Sequence, residues 1–437
     1  MKVLNNKSSM KVVIATAVYY PQVNGVAVFS HNLAVGLSKR GVDTLVICPS
    51  QTGKNYTRTI DRVKTVYLKS VQAKIYPDQI HPLPKQKKVM GLKVPRLFYR
   101  HGFRVSIFPQ HEIKKVLDTF KPDVVHVQVS DPIGLSVVSY ARKHDIPVVS
   151  TEHNQPEVLT SSFKLPGVMK KPFNALLYSY FRNRQSKSDF VTMPTQQAID
   201  NLLNGHDLGV PVAAISNGVD LSSFRPGKAP EAVYRKYGIS RNKKIVLYVG
   251  RIDPEKRVEI VIKAFGNALR RGIDAELVIV GDGVDKNRLE QLVLCEEYSD
   301  SIKFLGRVLP PDLYELYKTG DVFVTASEIE TQGIVLIEAA AAGLPLVAVD
   351  KGAVREVCID NKNGFLCRPR DVEQMGEAIV QIIMDKALHK QFSEESLRIA
   401  KEHDFETTLD RFLNIYKHVL RTHSGNISRE EHNSSLD

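Results

Sequence analysis

Cysteine is scarce in this 437-residue chain: only Cys48, Cys295, Cys358 and Cys367 occur, with no C-x-x-C pair. That spacing excludes a sequence signature for a zinc site or a disulfide framework and fits a reducing compartment. Long apolar runs are missing too. The longest, residues 333–349, is broken by Glu338 and Pro345, so no stretch reaches the ~18 residues needed to span a bilayer. The start, Met1-Lys2-Val3-Leu4-Asn5-Asn6-Lys7, turns polar at once, so no signal peptide is expected, and Met10 offers an alternative start. There is no G-x-x-x-x-G-K-[ST] and no G-x-G-x-x-G, which argues against a P-loop nucleotidase and an NAD enzyme. No serine nucleophile elbow is present. No D-x-D occurs, so the usual carboxylate pair for a metal–diphosphate complex is absent.

What the chain does contain is a globular composition, 43% hydrophobic and 25% charged, long enough for two or three domains. The formal net charge of +12 favours an anionic partner: nucleic acid, a lipid surface or an acidic substrate. Fifteen lysines and arginines lie between residues 54 and 115, with Tyr56, Tyr67, Tyr76, Phe98, Tyr99, Phe103 and Phe108 interleaved. A second stretch, residues 164–184, pairs apolar with basic residues. Such helices lie on anionic membranes, each basic residue contributing about 1 kcal/mol. No nucleic-acid recognition module is identifiable.

Apolar runs at residues 10–16, 44–49, 123–127, 146–150 and 189–193 alternate with helical patterns, and a second set follows at 245–250, 277–281, 302–305, 321–326 and 346–349. This βα rhythm predicts an α/β chain of two Rossmann-like, doubly wound domains, with a ligand cleft at their strand ends. The expected divisions are a polar extension 1–9, a first Rossmann-like domain 10–215, a second Rossmann-like domain 216–403, a closing helix 404–423 and a disordered tail 424–437. Phe405, Leu409, Phe412, Tyr416 and Leu420 mark the apolar face of that helix.

Residues 327–345 organise the rest. An apolar strand leads to Glu330 on a turn, then to Gln332, Gly333 and Ile334 opening an Ala-rich helix that contains Glu338. Gly333 and Ile334 stand where helix N–H groups face an anion such as a phosphate. A carboxylate among Ile337 and Ala339 needs a partner, and sugar hydroxyls would supply one. Upstream, Gly250-Arg251-Ile252-Asp253-Pro254-Glu255-Lys256 follows a strand and opens a helix. Arg251 offers a fork for phosphate oxygens, and Lys256 a point charge; both would meet the negative charge on a departing nucleoside diphosphate. Asn24-Gly25-Val26 follows the first strand, and His153 ends another, while His126 lies inside its strand and reads as structural.

Glu330 and Glu338 with their surroundings closely resemble the E-x7-E motif of the family 4 retaining glycosyltransferases, which have the GT-B fold. The Arg251–Lys256 segment resembles that family's G-R-x-x-x-E-K. The resemblance implies that Glu330 contacts donor-sugar hydroxyls, Glu338 the ribose, Arg251 and Lys256 the diphosphate, and Arg307 and Val308 the base. It further implies that Asn24, Gly25 and Val26 approach the donor phosphates, that Gly250, Gln332, Gly333 and Ile334 complete the donor site, and that His153 stands beside the reaction centre. Glu330-Thr331-Gln332-Gly333 looks like glycolipid-forming members that glycosylate diacylglycerol. Phe405 stands where Trp is often found. The implied activity is metal-independent transfer of a hexose, glucose first, from a UDP-sugar to a lipid acceptor, with no other cofactor and no nucleic-acid partner. Its implied place is the cytoplasm, peripheral at the inner face of the cell membrane. A soluble acceptor, a GT-B epimerase and a nucleic-acid binder are the alternatives.

Overall fold

The computed structural model describes residues 9–22, 24–72, 104–128, 130–153, 155–157 and 167–423. The chain divides into two compact units: the part up to Ile215 together with the part from Leu409, and Ser216–Thr408.

The first unit contains strands β1 (Lys11–Ala15), β2 (Asp43–Pro49), β3 (Tyr56–Ile60), β4 (Val63–Leu68), β5 (Val71–Gln72), β6 (Arg104–Val105), β7 (Val124–Val127), β8 (Val148–Thr151), β9 (Phe190–Met193) and β10 (Val212–Ala214). Its helices are α1 (Gly25–Lys39), α2 (Gln110–Phe120), α3 (Pro132–Lys143), α4 (Gly167–Gln185) and α5 (Gln196–Leu203). The main sheet runs β10-β9-β8-β7-β1-β2-β4-β3, parallel except for β3 at its edge, with β5 and β6 forming a separate ribbon.

Because parallel strands are covered on both faces, they read as unbroken apolar runs: Val12, Val13, Ile14 and Ala15 are all buried. Period-two alternation then sorts the faces. Val13, Ala15, Val125 and Val127 pack with Ile113, Leu117, Ile133 and Val137 of α2 and α3. His126, between Val125 and Val127, instead meets Phe412 and Tyr416. These two belong to the closing helix, Phe405–His423. A Cβ on Gly36 of α1 would stand 2.5 Å from Leu409 Cδ1, so a larger residue there would have to push that side chain aside. Filling such a site costs roughly 1–3 kcal/mol.

The basic, aromatic stretch at residues 54–115 lies in large part outside the described residues. Two of its aromatics are corrected by the structure. Tyr67 is buried in β4 and Tyr56 stacks on it at 4.3 Å, so both belong to the sheet rather than to an interaction surface. Phe108 is 85% exposed.

The second unit carries β11 (Lys244–Val249), β12 (Ala275–Val280), β13 (Ile302–Gly306), β14 (Val322–Val324), β15 (Leu346–Val349) and β16 (Gly364–Cys367). Its helices are α6 (Glu231–Tyr237), α7 (Val258–Arg270), α8 (Lys286–Leu294), α9 (Asp312–Tyr317), α10 (Ile334–Ala341), α11 (Val372–Met384) and α12 (Lys386–Glu402); the closing helix is α13. All six strands are parallel in the order β13-β12-β11-β14-β15-β16. The order therefore reverses between β11 and β14, and at such a switch point the two following loops diverge and leave a crevice for a ligand. Strand β14 is shorter than the run at residues 321–326, although the Thr325 amide still donates to the Val347 carbonyl of β15 at 3.0 Å. One core lies on each face, with Phe265 buried on one and Phe323 on the other.

Candidate active site

The loop after β11 makes one 3-10 turn, Pro254–Lys256, before α7 begins. Its cations are already paired. Lys256 Nζ donates to Glu330 Oε1 at 2.6 Å, and each side chain is only 15% exposed. Arg251 Nη2 donates to Glu255 Oε1 at 2.8 Å and Nη1 pairs with Asp253. Burial works against the charge on Arg251, but Asp253, Glu255 and Glu330 outweigh it and raise its pKa. Tyr248, in β11, donates to the Arg251 carbonyl at 2.7 Å and so holds the backbone ahead of the turn.

Beyond β14, Gly333 precedes α10 with φ +76° and ψ 54°, and no side chain caps the helix. A side chain at residue 333 is disfavoured by that left-handed backbone and would bring a Cβ to 2.9 Å from Leu336. The uncapped first turn, at Ile334, is suited to an anion. Glu338, one turn on, is partly buried and accepts from Tyr317 Oη at 2.6 Å. Burial raises its carboxyl to about 7, the Tyr317 hydrogen bond opposing. Among the described residues no Lys or Arg pairs with it, and its partner is the Tyr317 phenol on α9.

Gln332 is turned away from this group. Its Nε2 donates to Ser216 Oγ at 2.6 Å and its Oε1 accepts from the Asn217 amide at 3.1 Å, so the side chain fastens the turn to the start of the second unit. The Gly281-Asp282-Gly283 turn proves to be a close-packing device: Cβ atoms there would lie 1.8 Å from the Gly250 carbonyl and 2.1 Å from that of Ile252. Gly250 and Ile252 in turn donate to Val280 and Asp282 at 3.0 and 2.9 Å. Arg307 and Val308 follow the edge strand β13, Arg307 exposed and Val308 packed against the core.

In the first unit Asn24 caps α1, its Oδ1 accepting from the Ala27 amide at 2.9 Å, so Asn24-Gly25 opens a helix rather than forming a tight turn. Gly25 is exposed and Val26 half-buried. His153 follows β8, 8% exposed, with Nε2 and Gln128 Oε1 at 2.8 Å and the ring edge-on to Phe29 of α1 at 5.3 Å. Burial drives His153 down to about 3, and burial with His153 nearby does the same to His126. His126 is bound at both ring nitrogens, to Tyr416 and Thr151 at 2.7 Å each, as befits a structural residue.

Residues 23–223 match the family model described as Glycosyltransferase Family 4, and residues 231–398 the model described as Glycosyl transferases group 1. The chain belongs to the family 4 glycosyltransferases. This transferase is 29% identical to an alpha-monoglucosyldiacylglycerol synthase of Streptococcus pneumoniae over 82% of the chain and 75% of that protein. It is 27% identical to a GDP-mannose-dependent alpha-mannosyltransferase of Mycobacterium tuberculosis, covering 86% and 89%. Its fold matches sucrose-phosphate synthase from Thermosynechococcus elongatus with a TM-score of 0.72 at 17% identity, over 94% of this chain and all of that one. The Anabaena protein HepE, solved with UDP, matches at 0.65 and 18% over 94% and 100%. The transferase thus has the GT-B fold.

Within the second unit of the transferase, Gly250, Arg251, Lys256 and Glu330 come together, with Gly333 and Ile334 on the same loop and Glu338 one helical turn beyond. Sequence reasoning missed Tyr317, Tyr248, Asp253 and Glu255, the partners that hold the motif residues. It also missed Gln128 beside His153. Glu328, two residues before Glu330, was missed as well: its cations, Arg257, Lys351 and Arg370, are distant in sequence and arrive from other loops, so they gave no local signal.

Proposed function

We propose that this glycosyltransferase moves a hexose, glucose first, from a UDP-sugar to the hydroxyl of a membrane lipid such as diacylglycerol, with retention at the anomeric carbon and without a divalent metal. The observation that carries the reading is the Lys256–Glu330 pair at the β11/β14 switch point, beside Arg251 and the uncapped start of α10. A donor diphosphate would exchange Glu330 for its own oxygens on Lys256, freeing the carboxylate to accept from sugar hydroxyls. Glu338 would accept from the ribose hydroxyls, and the backbone at Arg307 and Val308 would hold the base. Arg251, Lys256 and the α10 amides would neutralise the charge growing on the leaving phosphate.

In the step itself the acceptor oxygen bonds to the anomeric carbon on the face from which UDP departs. The carbon–oxygen bond to UDP breaks, its electron pair goes to the phosphate, and the acceptor's proton passes to that same phosphate oxygen. No dedicated protein base is required. His153, neutral across the physiological range, would stand as a hydrogen-bonding neighbour rather than a proton carrier.

Two further observations support a lipid acceptor. Two relatives carry the name alpha-monoglucosyldiacylglycerol synthase, from Streptococcus pneumoniae and Acholeplasma laidlawii. Helix α4 also presents Val168, Met169, Leu176 and Tyr180 to solvent, with Lys170 and Lys171 exposed among them. An apolar stripe flanked by lysines fits the interface of an anionic membrane. Among the described residues no helix is long and apolar enough to cross one.

The test is to incubate the protein with radiolabelled UDP-glucose and anionic vesicles containing diacylglycerol, with EDTA present, and extract the lipid. Label in the organic phase is the expected result. Release of UDP only when soluble sugars are added would overturn the lipid acceptor and leave the transferase. Activity that appears only when magnesium replaces EDTA would overturn metal independence.

A further inference from the structure

Glu328 sits in the turn after β14, its side chain 12% exposed, and three cations converge on it. Arg370 Nε donates to Oε1 at 3.0 Å, Lys351 Nζ donates to Oε2 at 3.1 Å, and Arg257 Nε lies 3.7 Å from Oε1. Each comes from a different place in the sheet. Arg257 ends the turn that follows β11, Lys351 follows β15, and Arg370 follows β16. These strands and β14 are four consecutive neighbours. One carboxylate therefore joins the carboxyl-end loops of four adjacent strands.

The contact with Arg257 bears on the donor site directly. Lys256 and Arg257 are consecutive, and their partners Glu330 and Glu328 are two apart, so the β11 and β14 loops meet through two successive ion pairs, at 2.6 and 3.7 Å. Arg257 also has φ +52°, a left-handed conformation uncommon for a residue with a Cβ, and it switches the chain from the 3-10 turn into α7. Strained backbone of this kind persists where surrounding contacts over-determine it. Those contacts are Glu328 and, at 3.7 Å, Glu259. Burial alone would raise the Glu328 carboxyl, but Arg370 and Lys351 hold it below the ordinary range, so it stays charged.

We propose that Glu328 is a positioning residue: by gathering Arg257, Lys351 and Arg370 it sets the spacing of the loops on which Lys256 and Glu330 face the donor. This rests on the donor-site reading above. Misplacing reacting groups by about 1 Å costs about a hundredfold in rate, whereas diphosphate affinity, supplied by Arg251, Lys256 and the α10 amides, should change little.

The experiment uses the full chain and compares wild type with Glu328→Gln, Glu328→Ala and Glu328→Asp. Lysine acetylation is mapped by mass spectrometry without nucleotide, alongside UDP titration, kcat for transfer and a melting curve. Expected for Gln and Ala are more than threefold faster labelling of Lys256, kcat lowered about ten- to a hundredfold, and a UDP Kd within about threefold of wild type. The Asp variant, keeping the charge, should recover most of both changes. Unchanged labelling of Lys256 in the Gln and Ala variants would overturn the proposal, as would a general rise at all lysines with loss of cooperative melting. Faster labelling of Lys256 alone, in a protein that binds no UDP at all, would uphold the link between the loops and instead sink the donor-site reading.

Discussion

The two units share a doubly wound parallel sheet, yet they treat ionisable groups at their strand ends in opposite ways. In the second, Arg251, Lys256, Glu328 and Glu330 are each held in an ion pair. In the first, His126 and His153 are desolvated, neutral and tied to Thr151, Tyr416 and Gln128. The difference follows from what each must do. A site for a diphosphate needs charges that can change partners when the ligand arrives, since bare buried charges are too costly. The histidines of the first unit, closed off from water, instead tie elements of their own unit together as uncharged donors and acceptors. One fold supports both arrangements because the chemistry lives in the loops.

The strongest way to break this contrast is to remove one charge from the second unit. Lys256→Ala leaves Glu330 without its partner and, on the proposed reading, the leaving phosphate with one cation fewer. We expect kcat for UDP release to fall about a thousandfold. Retention of a tenth of the activity would remove Lys256 from the site.

The contrast also predicts opposite responses to pH. His126 and His153, at about 3 in the folded chain, bind fewer protons there than in the unfolded chain, where histidine titrates near 6.5. Their contribution to stability is complete above pH 6.5 and is lost as pH falls towards 3, on the order of a few kcal/mol. Glu338 behaves the other way. Raised to about 7, it binds more protons folded than unfolded, so stability falls as pH climbs from about 4.5 through 7. Hydrogen exchange followed peptide by peptide should show the first unit loosening in acid. If β7 and β8 keep full protection at pH 4 while the rest of the unit also does, the neutral-histidine account is wrong.

A smaller effect sharpens the role of Glu338. On the proposed reading ribose hydroxyls would donate to the ionised carboxylate, so UDP affinity should rise about tenfold between pH 6 and 8 as a group near 7 loses its proton. Titration calorimetry on wild type and Glu338→Gln isolates that part, because the proton on UDP itself contributes equally to both. Parallel profiles would exclude Glu338 from nucleotide binding.

The mildest test concerns the surface of the first unit. Leu176 is 65% exposed, so Leu176→Asp should change folding stability by no more than about 0.5 kcal/mol. Partition onto anionic vesicles should nonetheless drop about tenfold, through lost apolar burial and added repulsion. Unaltered partition would remove α4 from the membrane-facing surface.

Much of the site was legible because its signals are local. Glu330, Gly333 and Glu338 occupy a strand–turn–helix whose apolar run, glycine and alanines are read within twenty or so neighbouring positions. Arg251 and Lys256 are legible for the same reason. The partners of Gln332 were not legible, since nothing near it in sequence shows that Ser216 and Asn217 take both ends of its amide. Tyr317 gave no signal either, because its hydroxyl meets Glu338 only once α9 and α10 pack together.

By itself, then, the sequence determined two successive βα domains, their parallel sheets and the identity of the charged residues on their loops. Periodicity and turn chemistry act over a few residues and need no tertiary context. Only the tertiary structure decided which charges meet. Strand order sets β14 beside β11, and that alone brings Glu330 to Lys256 across 74 positions and draws four loops onto Glu328. Burial, equally a property of the packed chain, decided that the histidines are neutral and that Glu338 titrates near 7.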